Sequence, residues 1–366
     1  MRVTIIAGAR PNFMKIAPIV HAIQKAKEEG KPIDFRLVHT GQHFDQKMSG
    51  DFFEQLGIPE PDANLEAGGG TQAEQTGAIM ARFEQELLAN PTDLVLVVGD
   101  VTSTMACAIT AQKLKIKVAH VEAGIRSDDW TMPEEINRLV TDSITNYFFT
   151  TSDIANQNLS KSGVEKNRIY FVGNTMIDTL LKNRSRFIAP PIWQEAKLKA
   201  KDYIVLTLHR PANVDQEQQL KLLMNEIIEN SNGLPIIFPV HPRTAKNLQG
   251  LGIVGANLHF IEPLSYLEFN FLVERAKLVV TDSGGITEET TVMGVPCITL
   301  RDNTERPETI TIGTNELIGT DPKAIAPAFD KLFKGEWKKG GIPPLWDGKT
   351  ANRIVEHLLE IFKKVL

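Results

Sequence analysis

Residues 278–308 hold the side chains whose types and spacing are best suited to chemistry. A short apolar run there is followed by the tetrapeptide DSGG at 282–285 and then by a helical pattern. Glycines let backbone N–H groups approach an anion without interference from a Cβ atom, and Ser283 adds a hydroxyl donor. The start of the next helix supplies unpaired amides and the positive end of its dipole. The sequence therefore predicts a phosphate cradle formed by Ser283, Gly284 and Gly285.

Two carboxylates, Glu288 and Glu289, are expected in the first turn of the same helix. Because carboxylates repel a phosphate, at least one of them is predicted to face a hydroxyl-rich group such as a ribose. Arg306, one strand and one loop later, can donate a fork of hydrogen bonds to a diphosphate. The segment indicates a sugar-nucleotide site, although the motif alone also fits an ordinary strand-to-helix turn capped by Ser283 and glycine.

Polar and charged residues also follow most of the other predicted strands. Ligands of open parallel sheets bind beyond the carboxyl ends of the strands, so these positions are the first candidates for a site. They are occupied by Arg10, Lys15, Asp100, His120, Glu122, Arg126, His209, Arg210, His241 and Arg243. Singly, each has a simple structural explanation, such as Asp100 as a helix cap or Glu122 as a partner for Arg126. Their coincidence at sheet edges favours a ligand site.

The elements that position these residues alternate between short apolar strands and amphipathic helices. Predicted strands cover 3–7, 35–39, 94–98, 118–121, 147–151 and 169–172, and then 203–208, 236–240, 258–261, 278–281 and 297–300. This alternation predicts an α/β protein with two doubly wound parallel sheets. We expect an N-terminal domain over 1–185 and a C-terminal domain over 186–348, with a boundary region at 187–201. A last helix within 349–366 is expected to pack back on the N-terminal domain.

Composition limits the kind of partner. The chain has 366 residues, of which 42% are hydrophobic and 23% charged, and a formal net charge of -5. This mildly acidic balance does not provide the excess positive charge that is typical of proteins that bind nucleic acid. No run approaches the about 18 apolar residues of a membrane helix, and no signal sequence is expected. Cys107 and Cys297 lie far apart in apolar surroundings, which predicts reduced thiols and a cytoplasmic protein.

Motifs for redox cofactors and metals are missing from the sequence. The GxGxxG spacing is absent, so NAD is not implied. The adjacent pair Asp128 and Asp129 makes no convincing metal site, and there is no HxH, HExxH or cysteine-rich cluster. We therefore expect no cofactor and no metal, and a reaction that depends on acids, bases and positioned cations.

Nine short motifs occur in an order and spacing that resemble the non-hydrolysing UDP-N-acetylglucosamine 2-epimerases over almost the whole chain. They are GARPNFMK at 8–15, VVGD ending at Asp100, HVEAGIRS at 120–127, MPEEINR at 132–138, GNTMID at 173–178, LHRPAN at 208–213, PVHPR at 239–243, TDSGG at 281–285 and ERPE at 305–308. The resemblance implies a GT-B fold, in which two Rossmann-like domains flank the active-site cleft and the C-terminal one binds most of the nucleotide. It also implies a homodimer that interconverts UDP-GlcNAc and UDP-ManNAc for cell-surface polysaccharide synthesis.

The implied chemistry assigns roles to the candidate residues. The C2 proton of the sugar is not next to a carbonyl, so loss of UDP from C1 must acidify it, and a 2-acetamidoglucal results. Cations and donors are needed for the departing diphosphate, and the candidates are Arg10, Lys15, His209, Ser283 and Arg306. By resemblance, Asp100, Glu122 and Glu134 act at C2, and which acid serves which face stays open. His209 is counted among the catalytic residues. The resemblance places Glu289 on the ribose, with Arg138, Arg210 and His241 also binding substrate.

The MPEEINR motif also has a simpler interpretation, an exposed helix start in which acids complement the dipole and Arg138 pairs with one of them. Both interpretations hold if Glu135 makes this pair while Glu134 turns inward.

A regulatory site is suggested by a different segment. In some bacterial members of the family a second UDP-GlcNAc binds beside the substrate and activates the enzyme. Gln42, His43 and Gln46 match part of that site, but the stretch at 65–76 lacks the arginine that those members carry.

Four other functions stay open. A hydrolysing epimerase would release UDP and free ManNAc, and the intact HVEAGIRS and PEE motifs argue against it. A 2-epimerase of UDP-2,3-diacetamido-glucuronic acid shares most of the motifs and is the main alternative. A GT-B glycosyltransferase would not need three acids at the edge of the N-terminal domain. A non-catalytic nucleotide-sugar sensor is disfavoured because no acid or cation is missing.

Overall fold

The computed structural model describes residues 1–41, 56–240, 245 and 248–363. The chain forms two compact units. The first unit comprises Met1–Thr179 and Pro344–Leu366, and the second comprises Leu180–Pro343. Each contains one β-sheet flanked by helices, and every strand pair in the described part of the chain is parallel.

The sheet of the first unit has the order β3-β2-β1-β4-β5-β6-β7. Its strands are β1 (Arg2–Ala7), β2 (Asp34–His39), β3 (Ala63–Asn64), β4 (Leu94–Val98), β5 (Lys117–Val121), β6 (Tyr147–Thr150) and β7 (Ile169–Phe171). The connecting helices are α1 (Arg10–Glu28), α2 (Gln72–Ala89), α3 (Thr102–Lys113), α4 (Pro133–Ile144), α5 (Asp153–Lys161) and α6 (Thr175–Asn183), which ends in the second unit. All five residues of β4 are buried, because helices cover both faces of the sheet.

The second unit repeats this plan with six strands in the order β10-β9-β8-β11-β12-β13. They are β8 (Ile204–Thr207), β9 (Ile236–Pro239), β10 (Leu258–Ile261), β11 (Leu278–Thr281), β12 (Cys297–Thr299) and β13 (Asn315–Leu317). The helices are α7 (Ile192–Glu195), α8 (Pro211–Val214), α9 (Glu217–Asn230), α10 (Tyr266–Arg275), α11 (Gly284–Met293), α12 (Pro307–Thr311) and α13 (Ile325–Phe333). In both sheets the strand order reverses beside the first strand, which makes β1/β4 and β8/β11 the switch points.

The last helix, α14 (Thr350–Lys363), packs on α1 of the first unit. Asp178 holds its start, because its carboxylate accepts the backbone N–H of Thr350 at 3.1 Å and that of Ala351 at 2.7 Å. These two hydrogen bonds satisfy backbone N–H groups that have no partner within the helix at its start. No helix in the described residues is both long and apolar enough to cross a membrane.

The predicted fold class is confirmed, and each predicted strand agrees with the structure to within one residue at either end. Sequence patterns missed β3 and β13, because strands of two and three residues are too short to show a period.

The prediction for α11 needs a correction. This helix already begins at Gly284, so Glu288 and Glu289 lie in its second turn and not in its first. The stretch 187–201 includes α7 and contributes Ile192 and Leu198 to the core of the second unit.

Candidate functional site

Most of the predicted site residues lie at the carboxyl edges of the two sheets, next to the switch points. In the first unit α1, Asp100 and Glu122 follow β1, β4 and β5. In the second unit His209 follows β8 and Ser283 follows β11. β1 and β4 are neighbours in the first sheet, and β8 and β11 are neighbours in the second. Residues that follow these strands therefore lie close together within each sheet although they are far apart in sequence.

Glu122 and Lys15 form an ion pair in the first unit. Nζ of Lys15 lies 2.8 Å from Oε2 of Glu122, and the two side chains are 17% and 3% exposed. Glu122 has a φ of 70°, which is uncommon for a residue other than glycine and costs of the order of 1 kcal/mol or more. Its N–H donates to the carbonyl of Phe149. The backbone thus holds Glu122 at the end of β5 in a conformation of the kind that clusters at functional sites.

The turn between β4 and α3 lies beside this pair. Gly99 has a φ of 72°, and a Cβ atom on it would lie 3.2 Å from Nζ of Lys15 and 4.0 Å from Oε2 of Glu122. Glycine is required there because the backbone is left-handed and the ion pair leaves little room. Asp100 follows directly, so the structure brings Asp100, Glu122 and Lys15 to one part of the first unit.

Arg138 on α4 binds two carboxylates. Its Nε and Nη2 atoms donate to Oδ2 of Asp100 at 3.0 and 2.6 Å, and its Nη1 atom donates to Oε2 of Glu135 at 2.5 Å. The Arg138 side chain is buried, whereas that of Asp100 is 31% exposed. Sequence reasoning placed Arg138 on the substrate. The structure shows that Arg138 fixes the orientation of Asp100, and its binding of substrate stays a prediction.

The two neighbouring glutamates of α4 differ in burial. Glu135 is the buried acid, and it also accepts the N–H and the hydroxyl of Ser127 at 3.0 Å each, whereas Glu134 is only half-buried. Burial raises the pKa of Glu135, but the bonds from Ser127 and Arg138 hold it below its usual range. The pairing of Glu135 with Arg138 is as predicted. Because Glu135 is buried, this helix start is not the exposed one of the simpler interpretation, and the action of Glu134 on the sugar stays a prediction.

His120 links the Gly99 turn to α4, a role that sequence reasoning missed. Its Nδ1 atom lies 2.8 Å from Oδ1 of Asp142 and its Nε2 atom 2.9 Å from the carbonyl oxygen of Gly99. Although burial raises the pKa of Asp142, the His120 ring and the Arg126 guanidinium hold it below its usual range. Both ring nitrogens thus lie within hydrogen-bonding distance of oxygen atoms, and the His120 ring connects the Gly99 turn to Asp142 of α4.

Nη1 of Arg126 lies 2.7 Å from Oδ2 of Asp142. The simpler explanation of Glu122, in which it pairs with Arg126, is therefore wrong. Asp142 was missed because an aspartate in a helix resembles a solvent-facing residue. The available signal was the spacing of Glu135, Arg138 and Asp142, which places three charged residues on one helix face.

Asp282 organises the strand ends of the second unit and was also missed. Its carboxylate lies 2.8 Å from Nδ1 of His209 and accepts the backbone N–H of Arg210 at 2.9 Å and the amide of Asn213 at 3.1 Å. Burial raises the pKa of Asp282, but these bonds hold it below its usual range. Asp282 is fully buried, whereas the His209 side chain is 61% exposed. An aspartate–histidine pair is thus fixed at the end of β8 with its ring accessible.

The residues predicted to form a phosphate cradle lie at the start of α11. Ser283 is the N-cap residue of α11, and its side chain makes no capping bond, so the hydroxyl is not used as an ordinary cap. Gly284 and Gly285 form the first turn of this helix. The backbone amides of that turn point out of the helix start, as an anion site requires.

The two acids of α11 have different partners. Glu288 forms a buried ion pair with Nε of Arg306. Glu289 accepts a hydrogen bond of 2.9 Å from the hydroxyl of Tyr266, and burial raises the pKa of Glu289 to about 7. Sequence reasoning placed Arg306 on the diphosphate. The contact found for it is with Glu288.

Six of the predicted residues cannot be placed by their side chains. Arg10 begins α1, but its side chain lies outside the described part of the structure. His241, Arg243 and the regulatory candidates Gln42, His43 and Gln46 lie outside the described residues altogether.

Comparisons with known proteins identify the relatives of this chain. A family model for UDP-N-acetylglucosamine 2-epimerase matches residues 25–359. A UDP-N-acetylglucosamine 2-epimerase of Methanocaldococcus jannaschii is 42% identical over 98% of this chain and 99% of its own. The crystal structure of the UDP-GlcNAc 2-epimerase from that organism, in complex with UDP-GlcNAc and UDP, has a TM-score of 0.86 at 41% identity, and the match covers 98% of this chain and 100% of that one. A UDP-2,3-diacetamido-2,3-dideoxy-D-glucuronate 2-epimerase of Pseudomonas aeruginosa is 37% identical over 99% of this chain and 100% of its own.

Proposed function

Because the chain belongs to the UDP-N-acetylglucosamine 2-epimerase family, we propose that it interconverts UDP-GlcNAc and UDP-ManNAc without hydrolysing them. The observation that carries this proposal is the pair of held carboxylates at the edge of the first sheet. Asp100 and Glu122 follow the adjacent strands β4 and β5, and each is bound by a cation, Arg138 or Lys15. Epimerisation at C2 needs acids on the sugar, which simple nucleotide binding does not.

The reaction consists of an elimination and its reversal. A carboxylate takes the C2 proton, the C2–H electron pair forms a C1=C2 double bond, and UDP leaves with the electron pair of its bond to C1. In the return step UDP attacks C1 and C2 accepts a proton on the opposite face. Atoms and charge balance, and the product is the C2 epimer. We propose that Asp100, Glu122 and Glu134 are the groups that exchange these protons.

The nucleotide is proposed to bind in the second unit. The Ser283 hydroxyl and the first amides of α11 would hold the diphosphate, and the Glu289 carboxylate would accept the ribose hydroxyls. The accessible ring of His209, oriented by Asp282, would stabilise charge on the departing diphosphate. Arg10, Lys15, Arg210, His241 and Arg306 are kept as candidates for the remaining contacts with UDP.

A second substrate deserves a direct test. The Pseudomonas aeruginosa relative named for a diacetamido uronic acid is 37% identical, not far below the 42% of the UDP-GlcNAc 2-epimerase. The two substrates differ in the groups at C3 and C6 of the sugar.

The experiment is to incubate the purified protein with UDP-GlcNAc, or with UDP-2,3-diacetamido-glucuronic acid, and to follow the products by NMR. We expect UDP-ManNAc from the first sugar, without free UDP or free ManNAc. Turnover of the uronic acid alone would assign the second substrate. Release of free ManNAc and UDP would assign a hydrolysing enzyme.

We also propose a homodimer in the cytoplasm. The homodimer follows from the family resemblance and is tested by light scattering of the purified protein. The location is supported by two free, buried cysteines, Cys107 and Cys297, because unpaired thiols are typical of a reducing compartment.

A further inference from the structure

Arg301 lies just beyond the end of β12 and is 4% exposed. Its Nη2 atom donates to Oε2 of Glu305 at 2.6 Å and to Oδ1 of Asn303 at 3.2 Å. Its Nη1 atom is buried as well, but it has no hydrogen-bond partner among the described residues. Among the residues that the structure describes, one half of the guanidinium therefore has acceptors and the other half has none.

A buried guanidinium nitrogen without an acceptor is unfavourable, because it has lost water and gained nothing in exchange. Arginine cannot relieve this by losing its proton. The position thus calls for an acceptor that the described protein groups do not supply. A planar fork of N–H groups is best matched by a phosphate or a carboxylate.

The Nη1 atom of Arg301 faces the start of α11. A Cβ atom on Gly284 would lie 3.8 Å from Nη1 of Arg301 and 3.0 Å from Oε1 of Glu305. Because Gly284 has no side chain, the side chains of Arg301 and Glu305 can lie close to the first turn of α11. The guanidinium and the helix amides thus border the same space.

The charges around this space favour an anion. Nη2 of Arg210 lies 4.0 Å from Oε1 of Glu305, whose other oxygen binds Arg301. Arg301, Arg210 and Glu305 thus place two guanidinium groups and one carboxylate beside the positive end of the helix dipole. Glu305 fixes the plane of the Arg301 guanidinium.

We infer that Arg301 is a phosphate-binding residue, which donates from Nη1 to the diphosphate at the start of α11. The inference rests on the proposed nucleotide site and adds a residue to it. Sequence reasoning passed over Arg301 in favour of Arg306, although Arg301 stands closer to the end of its strand.

The test compares UDP with uridine, which lacks the phosphates. Arg301→Gln should weaken UDP binding by about 10- to 100-fold, because a charge-assisted bond is lost, and leave uridine binding unchanged. Arg301→Lys keeps the positive charge but not the paired N–H donors of a guanidinium. Its loss of affinity should therefore be smaller than that of Arg301→Gln and again confined to UDP. Calorimetry for UDP and an NMR titration for uridine give the two affinities. Arg275→Gln is the matched control, because Arg275 belongs to the same unit and lies over the ring of Phe271.

Retained uridine binding also shows that each variant is folded. An equal loss of UDP and uridine affinity in both Arg301 variants would mean that the residue only supports the fold, and it would overturn the inference. Unchanged UDP affinity would overturn it too. If the unaltered protein binds neither ligand, the proposed function fails, and the inference fails with it.

Discussion

Nζ of Lys15 lies 2.8 Å from Oε2 of Glu122, so a lysine expected on the diphosphate contacts an acid expected on the sugar. The pair is largely shielded from solvent, and screening weakens such a pair less than it weakens one at the surface. The contact fixes the direction of the Glu122 carboxylate. Arg138 does the same for Asp100 at the neighbouring strand end.

The first prediction concerns these two acids. Asp100→Asn and Glu122→Gln should each lower kcat by about 100-fold or more, because each removes a group proposed to exchange a proton at C2. UDP affinity should change little, since neither acid is proposed to contact the nucleotide. Turnover followed by NMR and UDP binding followed by calorimetry check both statements.

Glu84→Gln provides the control for this pair of variants, because Glu84 is an exposed acid of α2. It should keep both the turnover and the UDP affinity of the unaltered enzyme. Near-normal turnover in Asp100→Asn and Glu122→Gln would show that these acids are wrongly assigned.

The second prediction separates the neighbouring glutamates of α4. Glu134→Gln should lower kcat by about 100-fold with little effect on stability, since this acid is half-buried and proposed to act on the sugar. Glu135→Gln should instead destabilise the first unit by about 3 kcal/mol, because it breaks the buried ion pair with Arg138. Calorimetric unfolding and turnover of the two variants measure both effects. The opposite pattern would exchange the roles of the two residues.

The third prediction concerns pH. Burial raises the pKa of Glu289 to about 7, so this acid is neutral below that pH and charged above it. Only the carboxylate can accept charge-assisted bonds from the ribose hydroxyls, and affinity should therefore rise with pH. Between about pH 6 and pH 8 the gain should be roughly tenfold. UDP-GlcNAc is the ligand to use, because its diphosphate, unlike that of UDP, does not titrate in this range.

Glu308 supplies a matched control for this pH dependence. Burial raises its pKa to about 7 as well, and it lies on α12 of the same unit. The pH dependence should disappear in Glu289→Gln and persist in Glu308→Gln. Its persistence in Glu289→Gln would remove Glu289 from the ribose site.

The sequence predicted those parts of the site that depend on strand ends. Buried parallel strands are continuous apolar runs, and the residues that follow them are easily found, as Asp100, Glu122 and His209 were. Because adjacent strands of a parallel sheet end at one edge, their proximity within each sheet could also be expected.

Tertiary contacts could not be predicted in the same way. Glu134 and Glu135 have equal propensities, and only the packing of α4 decides which of them is buried. His120, Asp142 and Asp282 act through partners that are 16 or more residues away, so no local pattern reveals the pairing. Arg301 was passed over because its unpartnered Nη1 atom is visible only once Glu305 and Gly284 are in place.

Loss of the C2 hydrogen to a protein acid is the step on which the proposed function depends. The most direct measurement is proton NMR of UDP-GlcNAc incubated in D2O with the unaltered enzyme. We predict UDP-ManNAc that carries deuterium at C2, because the new proton comes from a group that exchanges with solvent. UDP-ManNAc that keeps its original hydrogen at C2 would contradict this mechanism, and stoichiometric UDP with free ManNAc would contradict the non-hydrolysing reaction.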